Sequence, residues 1–439
     1  MRPALVIATV ALTLLGPTAH AQDTIRVEQM QQAALRTDPR ARQRDLLRAA
    51  TDLRLGVIAS GRLPQLAING YGSHQSDVTR PTLGVPGLTI PDLPKDRWQT
   101  TLDVEQRLYD GGDVARRREL EEARHAESEA AVDVALYELR SEVNSAFFSA
   151  FLLDKRSAEY EALVTDLNAR LAAVRARVEA GTALGRDAAE IEAELVRAGL
   201  QRDEARASRR ASLAILANLA GKPIDTTAVL VLPAAEPERT QPVDPAAVAS
   251  LRQRPEFDQF RKSRLRLERE AEATSVENKP RLYAFGQAGL GLPGLDQFRR
   301  SSDAFWQGGL RVEWRPWTWR SAGRTAAAFR LQQEVVAAEE EALGRRLARA
   351  VATDLEDIER LKAALADDER VVALRIEVER QARAQYDEGA VTTPDYVETR
   401  TDVLEARLTL ERHRVELAQA RSRYLTTLEI TPRGASDTP

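Results

Sequence analysis

The side chains that could do chemistry in this sequence are acids and a few histidines. His20 lies near the start, and His74, His125 and His413 follow far apart, with no spacing that suits a metal site. Each of the last three is expected at a solvated surface position. The chain contains no cysteine, which excludes disulfide staples, thiolate ligands and a cysteine nucleophile. Adjacent acids such as Glu121 with Glu122 and Asp367 with Asp368 read as helix-surface charge rather than a general acid and base. A glycine-rich phosphate loop of the Walker type is also missing. Sixty-three basic side chains stand against 67 acidic ones, so nothing offers the basic face that a nucleic acid would want. The chain is expected not to be an enzyme and to need no cofactor.

The acids that do fall into a pattern lie just after two glycines. Gly181 and Gly389 stand 208 positions apart, and so do Asp187 and Asp395, and Glu190 and Glu398. Each glycine suits the left-handed cap that ends a helix. A helix then restarts, with Thr393 expected as its N-cap and Pro394 in its first position. Carboxylates in a first helical turn stabilise the helix dipole by about 0.3 to 1 kcal/mol each and need no further role to explain them.

These turns belong to a duplicated unit. Pro39 and Pro255 stand 216 apart, as do Pro64 and Pro280, while Trp98 and Trp306 share the offset of 208 with the glycines. One loop is therefore eight residues longer in the first half. Each unit reads as helix, strand, loop, strand, very long helix, turn, helix. Over 97–109 the residues Trp98, Thr100, Leu102, Val104 and Leu108 alternate with Gln99, Thr101, Asp103, Glu105 and Arg107. Trp306, Leu310, Val312 and Trp314 repeat the pattern against Gln307, Arg311, Glu313 and Arg315. Partner strands are expected over 63–76 and 281–292, with loops over 79–96 and 293–304.

The long helices carry apolar residues in steps of four and three. Val132, Leu136, Leu139, Val143, Ala146, Ala150, Leu153, Ser157, Tyr160, Val164, Leu167, Leu171, Val174 and Val178 form one seam, with Ser157 as its break. A looser seam runs through Leu347, Val351, Ile358, Leu361, Leu365 and Val372. A helix over 114–180 would be about 100 Å long, far beyond a compact domain.

The start of the chain has the form of a secretory signal. Arg2 precedes an apolar run over 4–15 and the small-x-small pattern Ala19, His20, Ala21, so 1–21 reads as a leader. The remaining divisions are expected at 22–220 for the first repeat, 221–247 for a linker, 248–430 for the second repeat and 431–439 for a tail. A strand with one apolar face, aromatic residues at its ends and a charged opposite face suits a membrane barrel. Trp98 and Trp306 would mark one interface and Tyr109, Trp314, Trp317 and Trp319 the other. Four strands cannot close such a barrel, whose smallest examples have about eight, so several copies must share one.

The duplicated unit, the strand ending Leu108, Tyr109, Asp110, Gly111, Gly112, the opening Arg254, Pro255, Glu256, Phe257 of the second half and the turns at Gly181 and Gly389 resemble the TolC-type outer membrane efflux family. The resemblance covers residues 25–430. It implies a mixed fold: a homotrimer sharing a transmembrane β-barrel, four strands per protomer, continuous with a long periplasmic α-helical barrel. It also implies a periplasmic adaptor protein and an inner-membrane transporter of RND, ABC or MFS type as partners. Location would be the outer membrane of a Gram-negative cell, in contact with its lipid; no cysteine follows the leader to carry a lipid anchor. By the same resemblance, Asp395 and Glu398, with Asp187 and Glu190, would ring a periplasmic aperture, and Arg186 would pair across to a neighbouring helix. Val391 stands where some relatives have a tip arginine. The second half departs from the family pattern, carrying Pro316, Trp317, Thr318, Trp319, Arg320 and Ser321 where Gly-Gly is usual. The alternative is a periplasmic adaptor or other coiled-coil interaction protein, which would generally carry a single hairpin flanked by soluble β domains.

Overall fold

In the computed structural model the described residues are 24–78, 93–233, 251–296 and 301–428. The expected leader, residues 79–92 of the first loop, the linker beyond residue 233 and the tail lie outside them.

The first repeat contains β1 (Thr24–Arg26), α1 (Val27–Thr37), a 3-10 turn (Pro39–Arg42), α2 (Gln43–Ser60), β2 (Gln65–His74), β3 (Asp96–Tyr109), α3 (Asp113–Glu179) and α4 (Gly185–Ala220). After β4 (Val229–Val231), the second contains α5 (Pro255–Ser275), β5 (Arg281–Leu292), β6 (Asp303–Glu313), α6 (Ser321–Asp387) and α7 (Thr393–Thr427). The duplication holds in the backbone. Both long helices have 67 residues and begin 208 positions apart, at Asp113 and Ser321. Neither contains a proline, which would have broken the hydrogen-bond ladder.

The chain divides into two compact units, each drawing on both repeats. One comprises Met1–Asp38, Glu138–Ser250 and Arg349–Pro439. Its largest core gathers Met30 from α1, Val143, Phe147 and Phe148 from α3, Leu213 and Leu216 from α4, and Leu230 from β4. The two phenylalanines meet edge to face with ring centroids 5.4 Å apart. Strand β1 pairs in parallel with β4, tying Ile25 to Leu230. Gly221 closes α4 at φ +62, and a Cβ there would lie 2.6 Å from Thr37, so only glycine fits. A second core lies under the helix turns: Leu163, Leu167, Leu171 and Val174 of α3 pack with Ile191 of α4 and with Tyr386, Tyr396 and Leu404 of α6 and α7.

The other unit comprises Pro39–Tyr137 and Leu251–Ala348. Its four strands form one antiparallel sheet in the order β2, β3, β5, β6. Beside the sheet, ion pairs link the helices alongside buried apolar residues such as Val132, Leu136, Phe257 and Leu267. Arg116 bonds Glu272 at 2.9 Å, Arg124 bonds Glu270 at 3.0 Å and Arg266 bonds Glu127 at 2.5 Å, joining α3 to α5. On the other flank Arg54 of α2 reaches the buried Glu121 of α3 at 3.0 Å, so this acid is not free surface charge.

Candidate functional site

Strand register sorts the sheet into two faces. Leu66 lies opposite Val104 and Ile68 opposite Leu102. Those two face Gly286 and Ala288 in turn, and the row ends at Gly308 and Trp306 on β6. The result is a continuous apolar face left open among the described residues: Ile68 and Trp306 are each 79% exposed. An apolar patch of this extent belongs against lipid or another protein. Among the described residues no helix is long and apolar enough to cross a membrane.

The opposite face is polar and cross-linked. Asn69 donates to Asp103 at 2.5 Å and Thr101 to the same carboxylate at 3.0 Å. Arg311 bonds Glu105 at 2.5 Å, and its guanidinium lies 5.1 Å from the centroid of Tyr283. Arg107 approaches the same ring at 5.7 Å. Such a face holds water and polar solutes rather than lipid.

The expected interface aromatics divide between the strand ends. Trp98 and Trp306 lie toward one end, and Tyr109, Trp314, Trp317 and Trp319 toward the other, all exposed. A bulge after Arg107 places Tyr109 opposite Leu282, on the apolar face. Trp314 donates its indole N–H to the carbonyl of Asn278 at 3.0 Å, and Trp317 meets Trp319 edge to face at 5.9 Å.

The strand-to-helix turn of the second half adopts the geometry of the first without its glycines. Gly111 and Gly112 have φ of +68 and +94, and their counterparts Trp319 and Arg320 have +51 and +60. Left-handed backbone costs a residue with a Cβ about 1 to 2 kcal/mol. The missing glycine pair therefore changes the strain and not the path.

Both helix turns close as expected at their glycines, Gly181 at φ +72 and Gly389 at φ +77. Thr182 N–H donates to Arg177 at 2.8 Å and Ala390 N–H to Gln385 at 2.8 Å, the long bond of a Schellman cap in each case. The restart of α7 differs from expectation by one residue. Thr392 is the N-cap, with extended backbone and its hydroxyl accepting from Asp395 N–H at 3.5 Å; Pro394 is then the second helical residue. Thr393 is instead buried, its hydroxyl 3.4 Å from that of Tyr386.

The acids divide by partner. Asp395 accepts the Thr392 hydroxyl at 2.6 Å, and Asp187 accepts Leu184 N–H at 3.1 Å. Both thus serve their own helix starts. Glu190 and Glu398 are exposed one turn further on, with no recorded partner among the described residues. Arg186 reaches Asp187 of its own helix at 3.8 Å rather than a neighbouring helix.

Sequence reasoning missed what lies beneath the second turn. Tyr386 and Tyr396 stack at 5.0 Å with planes 20° apart, and Arg170 of α3 covers Tyr396 at 4.3 Å. Arg400 then bonds Asp166 at 3.1 Å and Glu379 at 3.8 Å. Burial pushes the Tyr396 phenol far above its ordinary range, against the opposing pull of Arg170. The signal was present as two tyrosines flanking a turn, but it names no partner. Two histidines also correct the sequence expectation. His413 bonds Asp368 at 2.6 Å with both side chains 17% exposed, and His125 is half-buried; only His74, beside Asp96, is solvated. No group of acids and histidines among the described residues could hold a metal ion.

The geometry defines a class: a sheet with a lipid-type face and open edges, joined in one chain to two long helical hairpins. Comparison with known proteins agrees. The family described as "Outer membrane efflux protein" matches residues 24–222. Solved structures of similar fold include CusC, at TM-score 0.68 and 17% identity over 92% of this chain and 91% of that one. The Campylobacter jejuni CmeC outer membrane channel follows at 0.67 and 14% over 97% and 94%. The open-state MtrE outer membrane channel of Neisseria gonorrhoeae stands at 0.65 and 20% over 92% and 88%. Among curated protein sequences none matches. That family match spans less than half of the chain, and the solved structures share its fold across nearly all of it.

Proposed function

We propose that three copies of this chain close one twelve-stranded barrel and form the exit duct of a tripartite efflux or type I secretion system. The observation that carries this reading is the four-stranded sheet, apolar on one face, polar on the other and, among the described residues, unpaired at both edges. Unpaired edges cannot face lipid, and three sheets of four give an even-numbered barrel. The exposed aromatics at the two strand ends would anchor it at the headgroup levels, Trp98 and Trp306 outside and Tyr109, Trp314, Trp317 and Trp319 on the periplasmic side.

The helices would extend into the periplasm. Exposed apolar side chains on α4 (Val196, Leu200), at its N-cap (Leu184) and on α6 (Leu374, Val378) provide faces for neighbouring copies and for helices of a periplasmic adaptor protein. Energy would come from an inner-membrane transporter, since the sequence carries no phosphate loop of the Walker type. Gly181 and Gly389 would turn the hairpins at the entrance. There Glu398 and Glu190, free of other duties, are stronger candidates for an acidic aperture than Asp395 and Asp187, which cap their helices, while Arg186 serves Asp187.

Single-channel conductance in planar bilayers tests this reading. The expected result is a small, cation-selective conductance that rises or loses selectivity when Glu398→Gln is combined with Asp395→Asn, changes that leave the cap an acceptor. Unchanged conductance would leave Asp395 a helix cap and Glu398 a surface charge, and silence from folded trimers would overturn the channel itself.

A further inference from the structure

Within the protomer the sheet follows the duplication to the residue. Gln65 pairs with Glu105 in the first hairpin, and Arg281 pairs with Glu313 in the second. Those are one pairing, related by 216 on the first strand and 208 on the second. The remaining pairing, β3 with β5, joins the first repeat to the second. The same two offsets carry β3 onto β6 and β5 onto β2, which are the two open edges.

We propose that β6 pairs antiparallel with β2 of the next protomer in the register this operation gives. On the apolar face Leu310 lies opposite Gly72, Val312 opposite Gly70 and Trp314 opposite Ile68. On the polar face Arg311 lies opposite Tyr71 and Glu313 opposite Asn69. The inference rests on the reading that three copies share one barrel, and adds how their edges meet.

Three observations support this register. The first is size. In the middle of the β3 and β5 pairing large apolar residues meet small ones, Leu102 with Ala288 and Val104 with Gly286, while toward the ends Trp98 meets Leu292 and Tyr109 meets Leu282. The transferred pairing keeps that match, Leu310 with Gly72 and Val312 with Gly70. The second is the length of the strands. Strand β3 runs 14 residues to Tyr109, whereas β6 stops at Glu313 after 11. Residues 314–317 are the counterparts of 106–109, which are strand because β5 lies beside them at Leu282, Tyr283 and Ala284. In the transferred register Ile68, Ala67 and Leu66 of the next protomer supply that missing neighbour. The third is an uncovered ring. Tyr71 is 53% exposed on the polar face, where Tyr283 is already approached by two guanidinium groups. Arg311 of the adjoining copy would come within cation–π reach of Tyr71. The equivalence is carried to Trp317 and no further, because Trp319 stands where Gly111 leaves room for Lys279.

A register that keeps both faces can slip only in steps of two, and each step changes the shear of the closed barrel. Slippage is therefore a discrete alternative that cross-linking can separate. The chain has no cysteine, so introduced pairs act without background. Arg311→Cys with Tyr71→Cys and Trp314→Cys with Ile68→Cys test the proposed register; three residues apart, they sample both hydrogen-bonding classes of antiparallel pair. Arg311→Cys with Asn69→Cys and Arg311→Cys with Ser73→Cys test the slips of two. Each variant is oxidised mildly in membranes and run on non-reducing gels, and its assembly is checked with an amine cross-linker.

Covalent dimers and trimers are expected from at least one in-register pair, forming about tenfold faster than from either slipped pair. Faster linking of a slipped pair, or no linking of the in-register pairs in assembled trimers, overturns the register alone. Monomers only under the amine cross-linker, for the cysteine-free chain, overturn the three-copy reading beneath it.

Discussion

The two helix turns have the same backbone and different undersides. Both close on a left-handed glycine, and both restart with an acid at the third helical position. Beneath the first, the counterparts of Tyr386 and Tyr396 are Val178 and Ala188, only partly buried, and Leu184 at the N-cap has no side-chain acceptor. Beneath the second lie a tyrosine stack, an arginine over it, an ion-paired Arg400 and a threonine cap. Duplication preserved the turn and left its anchoring to diverge. The second hairpin is fastened to α3 through aromatic and charged groups, while the first is held mainly by its apolar seam.

The largest effect should come from making the second turn like the first. Tyr396→Ala removes a side chain that is 0% exposed and empties the space between Tyr386 and Arg170. A loss of about 3 to 5 kcal/mol is expected, the range for a buried aromatic cut to alanine. It would be measured as the shift in unfolding of the detergent-solubilised protein. Tyr396→Phe is the control: the hydroxyl is buried without a hydrogen-bond partner, so its removal should be neutral or stabilising. A large loss from the phenylalanine variant would mean that the hydroxyl, not the ring, carries the contact.

Charge at the two turns should separate more modestly. Arg400→Ala takes the cation from Glu379 in a partly buried site, while Asp166 keeps Arg170 at 3.5 Å, and should cost about 2 kcal/mol. Its positional counterpart is Glu192, which pairs with Arg175 at 2.8 Å with both side chains more than half exposed. Arg175→Ala should therefore cost less than about 0.5 kcal/mol. Equal losses at the two sites would remove the distinction between an anchored and a solvated turn.

The strand-to-helix turns make the same comparison at the sheet. Gly111 is packed, a Cβ there falling 2.7 Å from that of Lys279, while Trp319 and Arg320 are exposed. Gly111→Ala should destabilise by about 2 kcal/mol, and Arg320→Gly should stabilise by about 1 kcal/mol as it relieves left-handed strain. A stability loss from Arg320→Gly would show that the arginine makes a contact in the assembled protein worth more than the strain.

What the sequence made legible was whatever repeats or alternates. The offset of 208 survives in both long helices, the seam from Val132 to Val174 is mostly buried, and the faces of β3 and β6 fall as the alternation requires. What it hid was set by partners distant in sequence. Phe147 and Phe148 lie off the stepped seam and are buried because α1 and α4 meet them there. The parallel pairing of Ile25 with Leu230 joins segments that no local pattern relates. Thr393 passed for a cap because threonine and a following proline have that form, but burial beside Tyr386 claimed it and left Thr392 to cap. Aspartates and glutamates in the first turns could be found by spacing, whereas their division into capping and free groups depends on which oxygen reaches which N–H.

Matched positions deeper in the two hairpins give the smallest expected effect. Ala146 is buried in the apolar core, and its counterpart Asp354 is equally buried but charged, bonded to Arg423, which also reaches Asp357 at 3.1 Å. Burial raises the Asp354 carboxyl above its ordinary value, and Arg423 only partly opposes it. A raised value in the fold means that folding favours the protonated acid. That contribution is complete below the unfolded value near 3.8 and is lost as pH rises through the higher folded one. Asp354→Asn keeps the shape and never ionises, so its stability relative to the parent should improve from pH 3 to pH 7. Unfolding midpoints of both proteins at the two pH values measure it. A difference that stays constant, or runs the other way, would mean that Arg423 holds the charge more than burial opposes it, and that the second hairpin gains rather than loses by carrying an ion pair where the first carries alanine.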